Sequence, residues 1–343
     1  MDMKNISELR QDLVSGDWVV IATGRAKRPY EFLKQKREPF DQPKKSCPFE
    51  KLHDNALVVY SNDGNHTAKP RRAGKRYKWW VQVIPNKYPA FGKGVCALFH
   101  RIGPHQWTEG VGFHEVVVTS DHTRSLGQTS DREVELVMRA YQDRYLAMKA
   151  DECVEYISIF HNHGKEAGAT ISHPHSQIIA IPVIPPDFSR SLKGAASYHR
   201  GHRGCIHCLE LRYELRTKDR VVYENESFAV IAPYASKTAF ELRVFPKKHS
   251  SHFEEIRPRE RLALANAMRS ALAKLWRGLK NPDYNFFLHT APVADSEDFK
   301  YYHWHFEILP KTAIWAGFEI GTGIEISAIA PETAAEFLRK TKI

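Results

Sequence analysis

The sequence predicts an α+β fold with mainly antiparallel sheets and flanking helices, built from a duplicated unit. Three observations carry that prediction. Strand-like segments outnumber helical ones and cluster ahead of each long helix, which is not the alternation of a βαβ array. No glycine-rich dinucleotide or P-loop fingerprint is present. And one order of elements occurs twice: an early Cys-x-x-(Glu/Cys), a strand ending at a histidine, a long helix, a strand, then a His-x-His strand.

In chain order, WVVIA (18–22), ALVVYS (56–61), WWVQVIP (79–85), HEVVVTS (114–120) and YISIF (156–160) are rich in β-branched and aromatic residues and read as strands. A helix is predicted from about 131 to 150, because Ser130 and Glu133 form a capping-box pattern at its start. A second long helix is expected over about 259–279, with Pro258 near its first turn, and Pro331 opens a short C-terminal helix in the same way. In the first half, His122 precedes His173 by 51 residues; in the second, His249 precedes His303 by 54. The matched spacing predicts a boundary in the polar stretch 186–203, with domains over 1–190 and 191–343.

At 343 residues the chain can form two ordinary domains. No apolar run approaches the ~18–20 residues of a membrane helix. The polar start MDMKNISELRQDL does not read as a signal peptide, so a cytoplasmic protein without membrane partners is expected. Five cysteines are too few for a disulfide framework, and paired cysteines in a reducing compartment more often bind metal. The formal charge of +10 suits phosphorylated anions or nucleic acid. Part of it lies at Arg25, Lys27 and Arg28, and part at Arg71, Arg72, Lys75, Arg76 and Lys78 beside Trp79 and Trp80. The second run fits a solvated basic face or a channel for single-stranded nucleic acid.

Cys205-Ile-His-Cys208 aims two thiols at one ion, and His249 and His303 are the repeat-matched candidates to complete a tetrahedral Zn²⁺ site. Cys47, Glu50, His122 and His173 form the corresponding first-half set, with a carboxylate in place of one thiol; a degenerate loop without metal is the alternative. The stretch GATISHPHSQIIAIP (168–182) puts His173, His175 and Gln177 on alternate positions, hence on one face of a strand, with Pro174 marking an edge. Upstream, Asn162, Gly164, Gly168, Ala169 and Thr170 are small or amide-bearing and suit close approach to phosphate oxygens. A neutral imidazole can attack phosphorus and later leave, splitting a transfer into two steps, while a glutamine amide donates to the phosphoryl oxygen without adding charge.

The chain resembles the galactose-1-phosphate uridylyltransferase family of the histidine triad superfamily, which includes plant ADP-glucose phosphorylase. The resemblance runs nearly end to end, on LRQDLVSGDWVVIATGRAKRP (9–29), CPFE (47–50), IPNKYPA (84–90), GFHEVVVTSDH (112–122), FHNHGKEAGATISHPHSQ (160–177), PKKHSSHF (246–253), HWHFEILP (303–310) and AGFEIGTG (316–323). It implies a duplicated histidine-triad-like fold and a homodimer, often with substrate sites shared between subunits. It implies His175 as the nucleotidylated nucleophile and Gln177 as the group that holds the phosphoryl. Asn162, Gly168, Ala169 and Thr170 would line the phosphate, and Arg25, Lys27 and Arg28 would meet the sugar phosphate or diphosphate. Asn86 would sit at the nucleotide, and Gly317, Phe318 and Glu319 at the sugar or phosphates. Many relatives have cysteine where Glu50 stands, and uridylyltransferases often carry an acidic residue where Lys87 follows Asn86.

The expected reaction is therefore transfer of UMP from UDP-glucose to galactose 1-phosphate by way of nucleotidyl-His175. Phosphorolysis of ADP-glucose is the alternative within the superfamily, and a zinc-bearing nucleic-acid-binding protein the alternative outside it. The second half repeats His-x-His at His303 and His305, but Glu307 stands where Gln177 does and would repel a phosphoryl group. That half reads as metal-stabilised and without catalysis.

Overall fold

The computed structural model describes residues 6–22, 29–32, 40–64, 66–67, 78–96, 99–293 and 296–343. The strands are β1 (Glu8–Gln11), β2 (Trp18–Ile21), β3 (Val58–Ser61), β4 (His66–Thr67), β5 (Trp79–Pro85), β6 (His100–Ile102), β7 (His105–Trp107), β8 (Phe113–Thr119), β9 (Tyr156–His163), β10 (His175–Ile181), β11 (Val221–Glu224), β12 (Phe228–Ile231), β13 (Leu242–Pro246), β14 (Tyr284–His289), β15 (His305–Pro310) and β16 (Glu325–Ser327). The helices are α1 (Pro29–Phe32), α2 (Asp131–Lys149), α3 (Pro186–His202), α4 (Ile206–Thr217), α5 (Pro258–Gly278), α6 (Gly317–Thr322) and α7 (Pro331–Lys340).

Eleven strands form one sheet in the order β11-β12-β13-β15-β14-β9-β10-β8-β5-β3-β4. All its pairings are antiparallel. The order is palindromic about the β14–β9 junction: β9-β10-β8-β5-β3 on one side is matched by β14-β15-β13-β12-β11 on the other. The repeat expected from histidine spacing is thus a pseudo-symmetric sheet. A three-stranded sheet, β1-β2-β16, and the hairpin β6-β7 stand apart from it.

The long helices follow from their sequence. The Ser130 side chain accepts from the Glu133 N–H and the Glu133 carboxylate accepts from the Ser130 N–H, so α2 starts where the capping box places it. Pro258 opens α5, where its missing N–H costs no hydrogen bond. The apolar faces of α2 and α5 join Ile157, Ile159, Ile178, Val244, Phe286 and Phe306 of the sheet in one core that spans both halves. The polar stretch expected to hold the boundary folds as α3.

Three expectations need correction. Pro174 does not mark a sheet edge: β10 begins one residue later and pairs on both sides, with β8 and with β9. Its absent N–H falls before the ladder starts, so no pairing is lost. Trp80 is buried in the core with Nε1 donating to the Glu133 carbonyl and so offers no stacking platform for bases, while Trp79 is half-buried against the cluster that includes Phe49. Arg71, Arg72, Lys75 and Arg76 lie outside the described residues. Finally, Cys96 and Cys153 are joined as a disulfide, against the expectation of reduced thiols. Among the described residues, no helix is long and apolar enough to cross a membrane.

Candidate functional site

β10 alternates half-buried and buried residues from His175 to Ile181. Ser176, Ile178 and Ala180 face α2; His175 and Gln177 point together to the other side of the sheet. His173 lies two residues before His175, outside the strand, and is fully buried.

The His175 imidazole is held below its ordinary pKa by burial, so it is neutral at physiological pH. Its Nδ1 lies 2.8 Å from the His173 carbonyl, which can only accept. Nδ1 therefore carries the hydrogen, and Nε2 presents its lone pair. The Phe49 ring stands 5.0 Å from the imidazole, centroid to centroid. A ring in this state has an unshared nitrogen lone pair, which nucleophilic attack would need.

The loop between β9 and β10 leads into His175. Gly164 and Gly168 both adopt φ of +84°, in the left-handed region. A Cβ on Gly164 would come within 2.5 Å of every atom of the Asp283 carboxyl group, and that carboxylate accepts the Glu166 N–H at 2.7 Å. Asn285 Nδ2 donates to Asn162 Oδ1 and to the Ala167 carbonyl, each at 2.8 Å. Asp283 and Asn285 belong to the second half, so β14 braces the first half's loop. Ala169 is buried, and Gly168 N–H and Ala169 N–H close the turn on the Lys165 and Gly164 carbonyls. The Thr170 carbonyl accepts from Gln42 Nε2. A cavity of about 350 Å³ opens beside the loop, lined by Asn162, His163, Ser172, Pro174 and Lys280 among others.

Sequence reasoning missed two residues here. Asn285 is one; its signal was a lone amide in an otherwise apolar-aromatic strand. His114 is the other. It sits at the start of β8, diagonal to Gln177 across the β8–β10 ladder, and its Nε2 lies 2.7 Å from Gln177 Oε1. Asn86 N–H donates to the His114 carbonyl, so the residue expected at the nucleotide adjoins the same cluster.

Two metal-ligand sets converge. Cys205, Cys208, His249 and His303 bring ligand atoms within 4.8 Å of one another, as do Cys47, Glu50, His122 and His173. Two thiols with two imidazoles suit zinc, and so do one thiol, one carboxylate and two imidazoles. The histidine tautomers fit as well. His122 Nε2 donates to the Gln42 carbonyl and His173 Nε2 to the Thr119 carbonyl, leaving both Nδ1 atoms free to ligate beside Glu50 and Cys47. His249 Nε2 likewise donates to the Lys300 carbonyl while its Nδ1 faces Cys208. The two thiols share a hydrogen bond that drives Cys205, also bonded by the His249 and His303 rings, down and Cys208 up.

Some expected residues are not brought to the His175 neighbourhood. Gly317, Phe318 and Glu319 form the first turn of α6, where Glu319 accepts the Ala316 N–H. Among the described residues, no hydrogen bond or ion pair links them to β10. Arg25, Lys27 and Arg28 lie outside the described residues.

The N-terminal domain of galactose-1-phosphate uridyl transferase matches residues 1–185, and its C-terminal domain matches residues 191–342. ADP-glucose phosphorylase of Arabidopsis thaliana is 33% identical over 346 residues, covering 98% of this chain and 93% of that protein. Galactose-1-phosphate uridylyltransferase of Thermotoga maritima is 28% identical over 351 residues, covering 98% and 99%. The crystal structure of an Arabidopsis ADP-glucose phosphorylase with bound ADP-glucose superposes with a TM-score of 0.78 at 29% identity, covering 98% of this chain and 100% of that one. With both halves matched, the chain belongs to the galactose-1-phosphate uridyl transferase family, a family of nucleotidyltransferase-like enzymes.

Proposed function

We propose that this protein is a nucleotidyl-transferring enzyme that cleaves ADP-glucose with phosphate through a covalent His175 intermediate. The observation that carries the chemistry is the neutral His175 ring with Nδ1–H donated to the His173 carbonyl. Its Nε2 attacks the α-phosphorus, the bond from that phosphorus to the bridging oxygen breaks, and glucose 1-phosphate leaves. Inorganic phosphate then attacks the adenylyl phosphorus, the N–P bond breaks, and ADP leaves with His175 restored. Gln177 donates to the phosphoryl oxygen in both steps, where charge develops. Asn162, Gly168, Ala169 and Thr170 line the phosphates, and Asn86 serves the nucleotide.

Similarity supports adenosine over uridine: the 33% identical relative is an ADP-glucose phosphorylase, while the Thermotoga uridylyltransferase is 28% identical. UMP transfer from UDP-glucose to galactose 1-phosphate is the second reading, favoured by the near-complete coverage of that second relative. In either reading residues 1–190 form the catalytic domain and 191–343 its supporting partner. Zinc in the two ligand sets supplies structural cross-links. Arg25, Lys27 and Arg28 meet the diphosphate. Gly317, Phe318 and Glu319 serve the site of a second copy, which makes the enzyme a homodimer.

The test is a matrix of ADP-glucose and UDP-glucose, each with inorganic phosphate, glucose 1-phosphate and galactose 1-phosphate. ADP-glucose with phosphate is expected to give ADP and glucose 1-phosphate fastest. Robust exchange of UDP-glucose with galactose 1-phosphate, with ADP-glucose inert, would establish the second reading instead.

A further inference from the structure

We propose that His114 is a positioning residue that locks the Gln177 side-chain amide with its NH2 group turned toward the phosphoryl group. The proposal rests on the reading of Gln177 as the phosphoryl donor and explains how that donor is oriented.

The hydrogen bonds around His114 leave one arrangement. The Ala90 N–H donates to His114 Nδ1 at 3.1 Å. A main-chain amide cannot accept, so Nδ1 holds the lone pair and the neutral ring carries its hydrogen on Nε2. That Nε2 lies 2.7 Å from Gln177 Oε1, which must accept. A second amide, Asn86 Nδ2, lies 2.9 Å from the same Nε2. Asn86 Oδ1 already accepts the Tyr88 N–H at 2.9 Å, so its nitrogen is a donor and takes no hydrogen from His114. The Nε2–H therefore belongs to Gln177. The Asn86 NH2 already faces that N–H with no acceptor there, so a reversed Gln177 amide would add a second NH2 and leave the Nε2–H with no acceptor at all. With Oε1 fixed, the Gln177 NH2 meets no acceptor among the described residues and is left for a ligand.

The second half shows the same strand positions put to another use. Glu307, in the Gln177 position, has no amide to orient. Its partner is Arg243, directly opposite on β13 with Nε 3.1 Å from Oε1. Glu241 stands two residues before Arg243, where His114 stands in the first half relative to Val116. A histidine with a defined tautomer occurs on the side of the sheet where an amide must face one way. His114 also joins the 86–90 stretch, expected at the nucleotide, to the group expected at the phosphoryl.

The experiment is rapid-quench measurement of adduct formation with ADP-glucose and with UDP-glucose. The proteins are wild type, His114→Ala, His114→Gln, Gln177→Ala and His114→Ala/Gln177→Ala. His114→Ala should slow the chemical step between about 10- and 100-fold, the scale of a misplaced catalytic group, with nucleotide-sugar affinity unchanged. His114→Gln, whose amide nitrogen can reach the Nε2 position, should recover most of the rate. In the Gln177→Ala background, removing His114 should cost less than about twofold, because nothing remains to orient. Additive losses in the double variant, or a His114→Ala loss confined to affinity, would overturn the proposal while leaving Gln177 in place. A Gln177→Ala enzyme at the wild-type rate would instead remove Gln177 from the mechanism and the proposal with it. Should His114→Ala not fold, the same cycle run with His114→Gln and His114→Leu decides between these outcomes: recovery by Gln and loss by Leu only when Gln177 is present supports the positioning role.

Discussion

The two halves of the sheet hold the same histidine framework at opposite electrostatic extremes. Around β10, His175 and Gln177 are half-buried, Gln177 meets the His114 ring, the preceding loop is held by the amides of Asn162 and Asn285, and a cavity of about 350 Å³ opens beside Asn162 and Pro174. Around β15, His305 is only 2% exposed and Glu307 lies in a buried group of charges. Arg243 bridges Glu307, Glu241 and Asp12, and the remaining cavity holds about 60 Å³. Asp12 comes from the turn between β1 and β2. The Val14 carbonyl of that turn would be 1.8 Å from a Cβ on Gly194, so the turn is pressed onto α3 over this cavity. Burial alone would push Glu307 up, but Arg243 and the adjacent histidines hold it well below the ordinary carboxylate range. Charges taken out of water must be paired within the fold, and paired charges have nothing left for a substrate. Catalysis on phosphate needs the reverse: neutral donors, oriented in advance, at an open mouth.

Exchanging features between the halves sharpens the comparison. The largest difference is expected at the histidines. His175→Ala should lower turnover by at least about 10⁴-fold, as loss of a covalent nucleophile does, and abolish the protein adduct seen by intact mass. His305→Ala should leave turnover within about threefold. An active His175→Ala enzyme would erase the distinction between the halves. Next come the residues two positions on. Gln177→Glu should cost about 10²–10³ in kcat by replacing a donor with a repelling charge, with little change in stability. Glu307→Gln should leave kcat nearly intact and cost about 3 kcal/mol in denaturant unfolding, because Arg243 loses one of its buried carboxylate partners.

The metal sets should differ less. Cys208→Ala should release its ion and lower the melting temperature by roughly 10 °C. Glu50→Ala keeps one thiol and two imidazoles, so it should lower the melting temperature by less, and elemental analysis should find the first ion partly retained. Equal losses would mean that the carboxylate is as strong a ligand as the thiolate. The smallest effect concerns Asp12, whose carboxyl is lowered from 3.8 to about 2; burial opposes this, and Arg243 with the Ser15 and Val14 N–H groups overcomes it. A depressed acid stabilises the fold above its unfolded pKa and stops doing so as pH falls through its folded value. Asp12→Asn should therefore cost about 2 kcal/mol at neutral pH, and the gap to wild type should close between about pH 4 and pH 2.

Much of this was written in local sequence. The caps at Ser130 and Pro258 place α2 and α5 within a residue or two, and the ligand sets emerge from C-x-x-C spacing and the repeat. What local pattern could not supply is pairing between distant strands. β9 joins β14, and that pairing alone brings Asn285 to Asn162 and Asp283 to Gly164. His114 escaped notice for the same reason: one histidine opening an apolar strand has meaning only when β10 is known to lie beside it. The edge role read for Pro174 failed because a proline one residue before a ladder imposes nothing on it.

The β9–β14 pairing also bears on how the molecule can be divided. Two domains that merely touch can be parted at their interface with small loss. Here the seam is a ladder of main-chain hydrogen bonds through Tyr284↔His163, Asn285↔Asn162, Phe286↔His161 and Phe287↔Phe160. Cutting the chain near residue 190 would turn β9 from an interior strand into an edge rich in apolar and aromatic side chains, the arrangement that invites strand addition from another copy. It would also leave the Gly164 loop without Asp283. A duplicated unit whose sheet runs on through such a seam ties its two halves together: neither can be removed without baring an edge in the other.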